Sequence, residues 1–335
     1  MSGEAFSVAI TCAHSSECLT STLHALGEIV YPPGFEVIVI DDGRRDGRED
    51  AALGARRSGL KMRYLNLPGI TKPAAWNVAI CEAKGESIAF LEDGCIPSRD
   101  WLTVYEYAFD EWTAGVAGGP DRSLKNAGVW ERSLDYVLNS FIGTLGVRSG
   151  HPFLGRYYPR PWNMAARRQA LRLAGGFNES APESPEVTMI SRLIRLAFKP
   201  VFAPNAVVSR RRETGILAFA ERGFRLGAER GRGIAPPGLG KVYAAIVVFL
   251  ALLGVAAIRT GGVFSSPLVL AACGGYALML GVTGVHAAFR ARTPVAIVTA
   301  PPLMFAHHAS HIAGYIFGLA LRLIRRPRSS GGTQE

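Results

Sequence analysis

The chain has 335 residues, a net charge of +10, an apolar fraction of 48% and a mean hydropathy of +0.16. That length accommodates two or three modules, and the apolar fraction is high for a wholly soluble protein. The cysteines, Cys12, Cys18, Cys81, Cys95 and Cys273, are odd in number and lack paired-motif spacing, which argues against a disulfide framework or a zinc site and fits a reducing compartment.

In chain order, Phe6 to Ile10 reads as a short apolar strand, followed by a polar loop through Ser16 and a helix over Leu19 to Ile29. Phe35 to Ile40 is a second strand that ends in Asp41-Asp42-Gly43; a helix-like Asp50 to Ser58 and a strand over Lys61 to Leu65 follow. A helix around Ala74 to Lys84 stops at Gly85, and the strand Ser87 to Leu91 runs into Glu92-Asp93-Gly94-Cys95-Ile96-Pro97. Strands alternating with helices predict a mostly parallel α/β sheet with ligand loops at one edge. No internal repeat is visible. The acids after Leu91 then face a ligand crevice rather than a core. Two carboxylates there suit a hard cation that shares oxygens with a substrate's phosphates; the alternative is a solvated turn.

Beyond a Tyr/Pro/Arg-rich loop come Trp162-Asn163-Met164, helical spacing over Val187 to Leu196 and a strand over Pro200 to Val208. Residues 214–232 carry apolar and small side chains on one face and arginines and glutamates on the other. This predicts an amphipathic helix on a membrane surface, or an ordinary core-packing helix with the same periodicity. The soluble pattern, residues 1–233, gives way through a linker at 234–240 to a membrane region at 241–323 and a disordered basic tail at 324–335. Apolar runs at 242–258, 268–289 and 294–321 are the candidate spans. Three crossings from a cytosolic domain would leave Arg322, Arg325, Arg326 and Arg328 outside, against the positive-inside rule. The third run, interrupted by Pro301-Pro302, is therefore read as a re-entrant or broken hairpin. His307 and His311 in that run have the spacing of a metal pair, but with no carboxylate or cysteine beside them they read as packing or headgroup contacts. No apolar signal segment opens the chain, so the large domain is expected in the cytosol, at the inner or plasma membrane.

The positive charge would suit nucleic acid, anionic lipid or phosphorylated substrates. Arg210, Arg211, Arg212, Arg222, Arg225, Arg230 and Arg232 crowd just before the first apolar run, which the membrane surface explains and nucleic acid does not.

Phe6 to Leu23, Val37 to Gly43 with Asp46, Lys72 to Leu91 and Trp162 to Asn178 resemble, in that order, the motifs of family 2 glycosyltransferases. The likeness covers about two thirds of the chain, and the apolar tail is similar to that of bacterial exopolysaccharide transferases of the succinoglycan-synthesis type. It implies a GT-A fold, a nucleotide-diphosphate sugar donor, Mg2+ or Mn2+, and inversion at the anomeric carbon. It also implies donor-binding roles for Asp41, Asp42, Lys72, Asn77, Glu92 and Asp93. Of these, Glu92 and Asp93 would hold the metal, although Gly94 stands where the family's metal motif ends in an acid. Trp162, Asn163 and Met164 match the acceptor-side loop. The family's second acidic motif aligns with Pro185-Glu186, making Glu186 the catalytic base, with Glu183 as substitute; a helix-N-terminal glutamate complementing the macrodipole is the alternative. Arg222, Arg225 or Arg232 would stabilise the departing diphosphate.

The implied acceptor is a lipid-linked or polysaccharide chain, with membrane lipids as neighbours and no nucleic acid. A competing reading is a catalytically weakened homologue that binds nucleotide sugar or serves as a scaffold in a polysaccharide-synthesis complex.

Overall fold

The computed structural model describes residues 5–324 except 45, 112–113, 147, 149–156, 213–214 and 237. The basic tail expected over 324–335 lies, apart from Ile324, outside them.

The chain opens with β1 (Phe6–Thr11), α1 (Ser16–Gly27), β2 (Phe35–Asp41), α2 (Arg48–Arg57), β3 (Met62–Asn66), α3 (Lys72–Glu82) and β4 (Ser87–Glu92). These strands pair parallel in the order β3-β2-β1-β4. Every residue of β1 and β4 is buried, as expected for strands covered on both faces. Alternate side chains serve the two faces. Val8, Ile10, Val37 and Val39 pack with Leu19 and Leu23 of α1 and with Trp101 and Tyr105 of α4 (Trp101–Glu111). Ile38, Ile40, Ile88 and Phe90 pack with Trp76 and Ile80 of α3 and Ile190 of α8 (Pro185–Arg195).

The sheet is completed by β8 (Met164–Arg167), antiparallel to β4, then β6 (Ala114–Gly118) and β9 (Lys199–Phe202). The expected strand over Pro200 to Val208 divides in two. Its first part is β9; its second continues as β10 (Val208–Arg210) between β5 (Ile96–Pro97) and β7 (Asp121–Ser123) in a small second sheet. α5 (Val129–Asn139) and α6 (Phe141–Thr144) pack against the C-terminal helices, and α7 (Arg168–Ala174) packs on β8, α3 and α8.

Four helices follow: α9 (Ile216–Gly231), α10 (Leu239–Arg259), α11 (Pro267–Ala291) and α12 (Ala296–Ile324). By length and composition α10 and α11 could each cross a membrane, with mean hydropathies of 2.4 and 1.9. The hairpin expected at Pro301-Pro302 is not there: α12 runs unbroken through both prolines. They sit in its second turn and remove only their own amide bonds, while α9, α11 and α5 pack along the helix and hold it.

The small-residue face of α9 is turned to α12. Gly223, Gly227 and Gly231 recur every four residues opposite Gly314 and Gly318. A Cβ at Gly227 would lie 2.3 Å from the His311 carbonyl oxygen, and one at Gly318 2.1 Å from that of Ala228. The two backbones are in direct contact, the arrangement small residues permit between apolar helices. Leu217 on α9 remains 82% exposed.

Candidate active site

The chain runs outward from β1 to β2 and β3 and then crosses back to β4 on the other side of β1, and at this reversal of strand order a crevice opens at the carboxyl ends. Asp41, Glu92 and Asp93 all lie there and are all buried. Asp93 accepts hydrogen bonds from the backbone amides of Ala13 (2.9 Å) and His14 (2.8 Å) and contacts His14 Nδ1 at 2.8 Å. It thereby fixes the loop between β1 and α1. Buried Arg48 reaches Asp41 at 2.7 Å and Asp42 at 2.8 Å and donates to the His14 carbonyl. Tyr64 also donates to Asp41, and Arg44 pairs with Asp42 at 3.1 Å. Burial works against ionised Asp42, but the two arginines win and its pKa is lowered.

Glu92 is gripped from two sides. Lys72, the first residue of α3, reaches it at 3.2 Å, and Arg210, the last of β10, at 3.6 Å. Burial alone would raise its pKa; Lys72, Arg210 and Arg222 offset that and hold the carboxyl at about 2. The guanidinium of Arg210 also lies 4.9 Å from the Trp162 ring centre, with Arg148, Arg222 and Arg160 at 5.6, 5.7 and 6.0 Å. Trp162 is thus ringed by cations, a geometry its π-face favours. From this ring Arg160 reaches Glu186, in the first turn of α8, at 2.6 Å. Glu186 is 1% exposed; burial raises its pKa, with Arg160 and Arg148 pulling the other way. Glu183 pairs with Arg225 at 2.7 Å and Arg222 at 3.8 Å.

Lys72, Glu92, Trp162, Glu186 and Arg222 therefore gather around one centre, with Asp41, Asp42 and Asp93 along the adjoining strand ends. Other sequence-predicted residues do not face it. Asn77 bonds both backbone polar groups of Phe177 (Oδ1 at 2.8 Å, Nδ2 at 3.1 Å) and Glu179 at 2.8 Å, so it braces the loop before α8 instead of meeting a donor. Asn163 accepts from Trp101 (2.9 Å) and Tyr105 (2.7 Å) and donates to the carbonyls of Pro120 and Ala206. With that capacity filled, it is a buried brace and not an acceptor contact. Met164 is fully buried in the core. Arg232 is exposed at the end of α9, ten residues and about 15 Å of helix beyond Arg222.

The sequence reading missed Arg48, Arg148, Arg160 and Arg210, and placed Arg210 and Arg212 at the membrane surface. Arg212 is instead buried, paired with Asp121 and Asp135. A period-2 signal was present: Val208, Arg210 and Arg212 continue one face of the last strand.

The profile of the family described as Glycosyl transferase family 2 matches residues 7–174, half of the chain. The chain belongs to this family. The chain is 30% identical over 103 residues to glycosyltransferase AglE of Haloferax volcanii, a match spanning 29% of this chain and about a third (32%) of that protein. Among solved structures, the mannosyltransferase PcManGT of Pyrobaculum calidifontis, in complex with GDP-Man and Mn2+, aligns with a TM-score of 0.57 at 17% identity, over 92% of this chain and 87% of that one. The shared fold is the GT-A α/β fold with its mostly parallel sheet.

The acids at the end of β4 do not fit a divalent cation. Gly94, at φ +82°, offers no carboxylate, Glu92 is held between Lys72 and Arg210, and Asp93 is held by His14 and two amides. Among the described residues no three acids, histidines or cysteines converge as a ligand set.

Proposed function

We propose that this transferase moves a sugar, with inversion, from a nucleotide-diphosphate sugar to a lipid-linked or polysaccharide acceptor at the cytosolic face of the cell membrane, in cell-envelope or exopolysaccharide synthesis. The observation that carries the reading is the ring of guanidinium groups on Trp162, which joins the Lys72–Glu92–Arg210 cluster to the Arg160–Glu186 pair. A transferred sugar must touch both a diphosphate and an acceptor, and here the residues suited to each are a few ångströms apart.

The two groups have distinct chemistry. Lys72 and Arg210 present fixed positive charge where negative charge develops on the leaving diphosphate. Asp41 and Asp42, at the end of β2, adjoin the place where a base and ribose would lie. Toward a hydroxyl acceptor, Glu186, with its pKa raised, would take the proton. Trp162 is buried and holds the guanidinium groups around it in place. The membrane-facing part of the reading rests on α10 and α11, whose length and composition suit a bilayer.

The test is nucleotide release from a panel of UDP- and GDP-sugars by the detergent-solubilised full chain, with lipid extract as acceptor. Turnover by wild type and its loss in Lys72→Ala are expected. Binding of a nucleotide sugar without turnover on any acceptor would instead favour the weakened, donor-binding homologue that Gly94 keeps in view.

A further inference from the structure

Beside the site, a cavity of about 760 Å³ opens between α9, α10, α11 and α12 and the segment around α6. Its size falls within the range of pockets that hold small molecules. Val242, Ile246 and Phe249 of α10 and Phe305, Ile312 and Ile316 of α12 make its wall apolar. Its other lining residues include Arg148, Arg160, Arg230, His307 and His311.

The cations gather at one end. Arg230 donates to the hydroxyl of Tyr243, near the start of α10, while Phe249 and Leu253 lie about 9 and 15 Å further along that helix. Arg148 and Arg160 share the face of Trp162. Burial depresses the pKa of Arg148 to about 9; Asp121 opposes the shift, and Arg160, Arg212 and Arg222 add to it. Among the described residues His307 Nδ1 is buried with no hydrogen-bond partner, and its other ring nitrogen meets the Gly143 carbonyl at 2.9 Å. A carbonyl only accepts, so Nε2 carries the proton and Nδ1 is a bare acceptor. An apolar trough that ends in arginines fits a molecule with a hydrocarbon chain and an anionic head. Arg160, at that end, is the residue bonded to Glu186.

The geometry points to this cavity as the acceptor seat for a lipid phosphate, its chain along α10 and α12 and its phosphate between Arg148, Arg160 and Arg230. This inference rests on the proposed transferase reading and specifies its acceptor. In the step it implies, an anionic phosphate oxygen of the lipid attacks the anomeric carbon of the donor sugar. The new carbon–oxygen bond forms as the bond to the nucleoside diphosphate breaks, and that electron pair leaves with the diphosphate. No proton has to be removed, because a phosphate monoester oxygen already carries negative charge. Glu186 then serves as a positioning residue that holds Arg160 against the head.

The test uses the full chain in detergent, with geranylgeranyl phosphate, geranylgeraniol and dioleoyl phosphatidic acid as probes. Binding is read by native mass spectrometry, and the glycosylated lipid by mass spectrometry after UDP- and GDP-sugars are added. Ala309→Trp fills the cavity from an exposed position on its lining; Arg148→Gln removes one head-group charge. The expected result is that geranylgeranyl phosphate binds wild type and becomes glycosylated, that both variants bind it at least tenfold more weakly, and that geranylgeraniol binds at least tenfold more weakly than its phosphate. Nucleotide-sugar binding, unchanged in Ala309→Trp, shows that this variant is folded. Equal binding by wild type and Ala309→Trp, or equal binding of alcohol and phosphate, would overturn the assignment. Phosphatidic acid competing as well as the prenyl phosphate, with no glycosylated product, would also overturn it by making the cavity a seat for a bilayer lipid. A chain that binds the prenyl phosphate but no nucleotide sugar would sink the transferase reading itself.

Discussion

The two sides of the site treat charge in opposite ways. Along the strand ends each acid has its partner: Asp41 and Asp42 have Arg48, Asp93 has the His14 ring and two backbone amides, and Glu92 has Lys72 and Arg210. Around Trp162 and the cavity the guanidinium groups of Arg148, Arg160, Arg222 and Arg230 come together, Arg160 and Arg222 with Glu186 and Glu183 as partners and Arg148 under the charge of Asp121. A region neutralised from within has no place for another cation. A region that gathers several guanidinium groups suits an anion, and the direction in which each side is perturbed by mutation should reveal the difference.

The largest effect is expected at Glu92. Glu92→Gln leaves Lys72 and Arg210 without their buried counter-charge, and removing one member of a buried pair costs about 3–5 kcal/mol. Thermal unfolding in detergent should show this loss. Arg222→Gln, on the cation-rich side, should cost under about 1 kcal/mol, because it relieves repulsion as well as removing an ion pair. Equal losses would erase the contrast.

Acid sharpens the comparison. The Glu92 carboxyl is held at about 2 when folded, below its ordinary value of 4.5, so on acidification the unfolded chain binds this proton first. Its contribution to stability is full above about pH 4.5 and is lost as pH falls towards 2. Glu186 is shifted the other way: burial raises its pKa. Its contribution is present below the ordinary carboxyl pKa and is lost as pH rises through the raised one. Melting temperatures across pH 3–7 should therefore show that Glu92→Gln flattens the acid limb of the profile, whereas Glu186→Gln becomes relatively more stable towards neutral pH. Slopes of the same sign would break the assignment.

Metal removal probes the strand-end side alone. With Lys72 and Arg210 supplying positive charge to the diphosphate, EDTA should change nucleotide-sugar affinity by less than about threefold. Gly94→Asp restores an acid where the family's metal motif ends. A Cβ there meets only the Cys18 side chain at ordinary contact, 3.5 Å, and the positive φ costs about 1–2 kcal/mol. The variant should gain Mn2+-stimulated binding, measured by titration calorimetry. Wild-type binding abolished by EDTA would show that a cation is held despite Gly94.

Much of this was legible in the sequence, because parallel strands buried on both faces read as apolar runs. Val37 to Ile40 and Ser87 to Leu91 sit in the sheet where that pattern placed them, and the acids after them sit at its carboxyl edge. What stayed hidden is what depends on long-range partners. Nothing local in Asn163 tells that Trp101 and Tyr105 occupy its carbonyl from about 60 residues away. The dense arginines misled for a related reason: proximity in sequence to an apolar run suggested headgroups, whereas Arg210 and Arg212 point inward from the end of a strand. In α12 local chemistry was overridden outright, since two adjacent prolines mark a break in an isolated helix but are tolerated where neighbouring helices pack along it.

The smallest effect separates two arginines that sequence alone made equivalent. Both Arg222 and Arg232 lie on α9 or at its end, both precede the apolar runs, and either could have met a diphosphate. Arg222 lies 5.7 Å from the Trp162 ring centre and acts on Glu92, whereas Arg232 is an exposed C-cap. Removing a cation that faces a bound anion should weaken binding severalfold even where folding is untouched, because charge acts over ångströms and is screened beyond about 8–10 Å in physiological salt. Arg222→Ala should therefore weaken nucleotide-sugar binding at least threefold, while Arg232→Ala leaves affinity unchanged and stability within about 0.5 kcal/mol. If Arg232→Ala has the larger effect on affinity, the diphosphate lies at the far end of α9, and the ring of cations on Trp162 has another purpose.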